Sequence, residues 1–72
     1  MKLQTNDSGA WKDLLSFSGD SLEEIDGVMY HARMLLDNST EHISMRVTND
    51  RNKPLHYLDG PGKHWRRAGH IQ

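Results

Sequence analysis

The chain has 72 residues, enough for one small domain with a single core, and its nine Lys and Arg nearly balance ten Asp and Glu for a net charge of −1. No apolar run approaches the roughly 18 residues of a membrane span, and the N-terminal MKLQTNDSGA lacks the apolar stretch of a secretory signal. With no cysteine there is no disulfide framework, thiolate metal site or thiol nucleophile, and a cytoplasmic protein is expected.

From the N-terminus, Lys2 to Thr5 and Ala10 to Phe17 flank Asn6-Asp7-Ser8-Gly9, a hairpin signal. Trp11, Leu15 and Phe17 are in phase on one face, with Leu14 breaking the alternation. Ser21-Leu22-Glu23-Glu24 then fits the S-x-x-E capping box, which starts a helix from about Leu22 to Asp37. Leu22, Ile25, Val28, Met29, Ala32, Leu35 and Leu36 fall within an arc of about 140° at helical spacing, so this stripe is expected to face a core. Asp20, Glu23, Glu24 and Asp26 crowd the first turns, where the helix dipole favours negative charge, and Asn38 is expected as a left-handed cap at the other end.

Past the helix the period changes to two. Ile43, Met45 and Val47 alternate with His42, Ser44, Arg46 and Thr48, as in a strand with one buried and one wet face. Asn49-Asp50-Arg51-Asn52 is turn chemistry, and Leu55 to Leu58 forms a second strand with Pro54 at its start. Facing Val47 with Leu55 places Tyr57 opposite Met45 on the core side and His56 opposite Arg46 on the other. Lys63 to Arg66 adds a short edge strand after the turn Asp59-Gly60-Pro61-Gly62, and residues 67–72 form a loose tail. The fold class expected is α+β: two layers, an antiparallel sheet of four to five strands with one helix on one face, in the order β-β-α-β-β with a further short strand, all in a single domain over residues 1–66.

Catalytic chemistry finds little footing. The five histidines (His31, His42, His56, His64, His70) show none of the H-x-H, H-x-x-x-H or H-E-x-x-H spacings that put two imidazoles on one metal. Gly60-Pro61-Gly62-Lys63 fails the phosphate-loop frame, which needs glycine where Tyr57 stands and Ser or Thr where His64 stands. Capping accounts for Glu23, Glu24 and Asp26, and a helix cap accounts for Asn38 in the sequon Asn38-Ser39-Thr40. No enzyme, cofactor, metal site or small-molecule substrate is expected.

Two binding surfaces are expected instead. Leu, Ile, Val and Phe total only 14 residues, a thin core, which points to a partner chain or self-association. Gly27, Tyr30 and Met34 form a stripe on the back of the helix, where a small residue beside an aromatic and a flexible apolar side chain suits close approach by a protein. The competing surface is the open sheet face. Residues 1–40 carry three Lys/Arg against seven Asp/Glu, net −4, and residues 41–72 carry six against three, net +3. Lys12, Arg46, His56, Lys63, Trp65, Arg66 and Arg67 are the contacts such a face would offer a nucleic acid, cations on phosphates and the indole for stacking. Protein association, as a homodimer or an accessory subunit, ranks first and nucleic-acid binding second.

Overall fold

A computed structural model describes residues 1–6, 9–39 and 41–68 of the chain. Its elements follow in the order β1 (Lys2–Asn6), β2 (Trp11–Ser16), α1 (Leu22–Asp37), β3 (Ser44–Thr48), β4 (Pro54–Leu58) and β5 (Arg66–Arg67). The five strands form one antiparallel sheet in the spatial order β2-β1-β3-β4-β5, so the expected α+β architecture holds. The sheet ends on Arg66 and Arg67, later than the Lys63 to Arg66 expected, and it draws in Arg67, which the sequence places in the tail. Residues 69–72 of that tail lie outside the described residues, as do Asp7 and Ser8 of the first turn and Thr40 of the sequon.

The helix begins as its cap demands: Ser21 has extended backbone and its hydroxyl accepts the Glu24 N–H at 3.4 Å. At the other end Asn38 is not left-handed. With φ −92° it ends the helix through its amide side chain, which donates to the Met34 carbonyl at 2.9 Å and satisfies one of the last orphan acceptors.

The core is small. Leu3 from β1, Met45 and Val47 from β3, Leu58 from β4, and Ala32 and Leu36 from α1 are buried, with Met1, Phe17, Val28, Met29, Ile43 and Trp65 packed around them. Ile25 is half-buried outside this cluster, and two members of the predicted helical stripe are exposed, Leu22 at 77% and Leu35 at 65%. These two occupy the edges of the arc, and α1 sinks only its centre into the sheet.

Two bulges set which side chains face the helix. Leu3 pairs with Leu15 but Gln4 with Asp13, leaving Leu14 as an extra residue in β2. Trp11 therefore falls on the face opposite Leu15, correcting the simple alternation. A second shift between Val47 and Thr48 leaves Leu55 extra in β4, so Val47 pairs with His56, Arg46 with Tyr57 and Met45 with Leu58. The predicted register was one residue out. Leu58, fully buried, takes the core position expected of Tyr57, while Tyr57 moves to the open face and His56 to the helix side.

The two flanks of α1 differ. On one, the connection from β4 to β5 is strapped to the helix: the Trp65 indole Nε1 donates to the Met29 carbonyl at 2.8 Å, and the Gly62 N–H donates to Asp37 Oδ1 at 2.8 Å. On the other flank, toward β2, none of the described residues covers the sheet.

Candidate functional site

The uncovered flank is an apolar groove running alongside α1. Its first part, about 610 Å³, has a floor of Leu3, Leu14 and Leu15 and a wall of Gly27, Val28, Ala32 and Leu35, with Glu24 and His31 at the rim. A second part, about 410 Å³, continues toward the C-terminal end of the helix past Leu36 and Asn38, over Thr5, Ile43 and Met45. Leu14 and Leu35 belong to both parts and form the waist between them.

The bulge explains why this surface exists. An extra residue in β2 lets two consecutive leucines, Leu14 and Leu15, line the helix side of the sheet, where strict alternation would supply one. Both are more than two-fifths exposed. The sequence signal was present in the broken alternation at Leu14, but its consequence depends on where α1 sits, and spacing alone did not reveal that.

The back of the helix bears the stripe read from the sequence. Tyr30 is 61% and Met34 46% exposed, and nothing lies within 4 Å of where a Cβ on Gly27 would stand. Gly27 is half-buried at the groove wall, so the stripe and the groove are adjoining parts of one surface. The His31 ring lies edge-on to Tyr30 at 5.6 Å, and its Nδ1 donates to the Gly27 carbonyl at 2.7 Å, which places this imidazole along the helix surface.

The open face of the sheet is organised differently. Trp11 and Tyr57 approach at 6.1 Å between ring centroids, the Arg46 guanidinium lies 4.3 Å from the Trp11 ring centroid, and Arg66 lies 4.9 Å from that of Tyr57. Beneath them Gln4 is buried and bonded on both sides: it accepts from Arg46 Nε at 2.7 Å and donates to Asp13 at 2.7 Å. Arg66 grips Asp59 with two hydrogen bonds, at 2.7 and 3.2 Å, which hold the Asp59 carboxyl below the usual carboxylate range and raise the guanidinium's own pKa. This face is a self-satisfied polar and aromatic network.

The seven cationic and aromatic candidates do not converge. Arg46 and Arg66 share the open face. Lys12 pairs with Thr5, and so has the helix-side phase of Leu3. His56 pairs with Val47 and with Arg67, also on the helix side; burial first, then the Arg67 charge, depress its pKa below 6.5. Trp65 is tied to α1, and Lys63 is exposed in the connection before it. The reasons are the bulges at Leu14 and Leu55, which invert the phases of β2 before Leu14 and of β4, together with the indole's hydrogen bond, which draws Trp65 under the helix.

Among the described residues, no group of three or more His, Asp or Glu side chains is placed to hold a metal ion, and no helix is long and apolar enough to cross a membrane. No family model matches the chain, nor does any curated protein or solved structure.

Proposed function

We propose that this domain is a non-catalytic protein-association module whose contact surface is the α1–β2 side. One observation carries the proposal: among the described residues the large apolar side chains left exposed all belong to β2 and α1, and of these Leu14, Leu15 and Leu35 line the groove while Tyr30 and Met34 form the adjoining ridge, Leu22 alone lying apart. Apolar surface gathered in this way is characteristic of sites that bury it against a partner. The thin core supports the same reading, because docking adds buried area that the chain alone does not supply. A cysteine-free chain is compatible with the cytoplasmic location proposed with it.

The test is sedimentation equilibrium from micromolar to submillimolar concentration, run beside affinity capture with the parent chain and a Leu14→Ser/Met34→Gln/Leu35→Gln variant. Association lost in the variant supports the proposal. Association that the triple substitution leaves unchanged, or none in either experiment, removes it.

Nucleic-acid binding has one observation in its favour, the placement of Arg46 and Arg66 beside Trp11 and Tyr57. It has less support, because Asp59 neutralises Arg66 and the guanidinium groups already cover a side of each ring. An oligonucleotide titration at low salt that gives no binding ends it.

A further inference from the structure

We propose that the groove receives an amphipathic helix of a partner protein, lying antiparallel to α1 with its basic C-terminal end beside Glu24 and its acidic N-terminal end beside Lys12. This rests on the association reading and names the occupant.

The shape comes first. Five strands about 4.8 Å apart span about 19 Å between the outer two, whereas one helix is about 10 Å wide. One helix therefore covers only about half of the sheet: the Trp65 connection closes one flank of α1, and the other, over β1 and β2, stays open. From Glu24 to Asn38 the groove follows 14 residues of α1, about 21 Å, or four turns of a second helix.

The floor and walls then limit the backbone of the occupant. β1 is paired on both sides, by β2 and β3, α1 satisfies its own amides, and the free edge of β2 points outward in the plane of the sheet, so a chain lying over the apolar face meets no main-chain partners there. An extended peptide laid there would bury unpaired N–H and C=O groups; a helix brings its hydrogen bonds with it.

Charge sets the direction. Glu24 rims the end where α1 starts, sharing the first turn with Glu23, and Lys12 pairs with Thr5, which lines the opposite end. Helices favour acids in their first turn and bases in their last. An antiparallel helix with that ordinary distribution meets a charge of opposite sign at each end, and its dipole opposes that of α1.

A second copy of this chain meets neither condition. Reciprocal insertion, each α1 in the other's groove, requires a two-fold axis along the helices, which makes them parallel and brings the two Glu24 carboxylates to the same end. The last turn of α1 also contains no basic residue. One-way insertion would leave a free groove and a free helix on every complex and propagate into chains.

The experiment uses the full chain and a 16-residue helical peptide with leucines at i, i+3, i+4 and i+7, glutamates in its first turn and lysines in its last. Fluorescence anisotropy is expected to give micromolar binding, weakened at least fivefold by Glu24→Gln and abolished by Leu35→Glu or by Leu14→Ser. A spin label on the peptide C-terminus is expected to broaden the amide signals of residues 23–27, and a label on its N-terminus those of residues 38–39. No binding at millimolar peptide, or the reversed broadening pattern, overturns the proposal. A dimer in light scattering that Leu35→Glu dissolves assigns the groove to a second copy, which also overturns it while leaving the association reading intact. Failure of both the peptide and self-association, together with failed capture, removes that reading as well.

Discussion

The indole Nε1 of Trp65 donates to the carbonyl of Met29 across 2.8 Å, tying the connection before the last strand to the middle of the helix. A residue that composition marks as available for base stacking thus serves as a structural strap, and it closes the flank of α1 that would otherwise mirror the groove.

Trp65→Phe keeps most of the ring and loses the donor, and is expected to cost about 1 kcal/mol. Trp65→Ala removes the packing as well and is expected to cost about 3 kcal/mol. Urea denaturation followed by circular dichroism measures both; a Trp65→Phe variant as stable as the parent would mean that the hydrogen bond contributes nothing, and equal costs that the ring packing contributes nothing.

Core truncation is expected to be severe. Leu36 and Leu58 are almost fully buried, and each Leu→Ala change is expected to cost about 2–5 kcal/mol. For so small a domain that is a large share of the total stability, so thermal melts of either variant are expected to show no cooperative transition well above room temperature. Leu14→Ser and Leu35→Gln alter exposed side chains and are expected to stay within about 0.5 kcal/mol of the parent. Binding and folding are therefore separable by mutation at these sites.

Gly60 has φ +145° and its position faces the His42 ring, where a Cβ would stand 2.5 Å from Cε1. Gly60→Ala meets both a steric clash and a backbone conformation that L-residues avoid, and is expected to cost more than about 2 kcal/mol. Adding His42→Ala relieves the clash alone. A double-mutant cycle in urea is expected to recover part of the loss; full recovery would show that the backbone term is negligible.

His56 links stability to pH. Its folded pKa is depressed, chiefly by burial and then by Arg67, so between that value and about 6.5 the unfolded chain binds more protons at this site. Stability is expected to fall as pH drops below about 6.5 and to level off beneath the folded value, and His56→Gln is expected to flatten that part of the curve. Asp59 acts in a lower window. Its depressed carboxyl stabilises the fold above about pH 3.9 and loses that contribution as pH falls through its folded value. Chemical denaturation across pH 3 to 8 separates the two.

Local signals identified the elements well because they depend on near neighbours: the Ser21 cap, the period of α1 and the alternation of Met45 and Val47 are all satisfied within a few residues. The errors arose where one strand answers to another. Nothing in Pro54 to Leu58 marks Leu55 as an extra residue; that follows from burying Leu58 against Met45 while the turn at Asn49 to Asn52 closes. The candidate surface was half legible. Tyr30 and Met34 follow from the helical projection, whereas the groove depends on how far one helix reaches across five strands, a property of the assembled layers.

The bulge at Leu14 bears on how safely the chain displays its apolar side. β2 is an outer strand, and a regular outer strand with consecutive leucines is a template on which other molecules stack into fibrils. Leu14 interrupts the even spacing of amides that such stacking requires, and the neighbouring Lys12 and Asp13 set charges along the same border. The irregularity that exposes the leucines therefore also guards against aggregation, and a deletion of Leu14 that straightens β2 is expected to show this as thioflavin-positive material at concentrations where the parent stays clear.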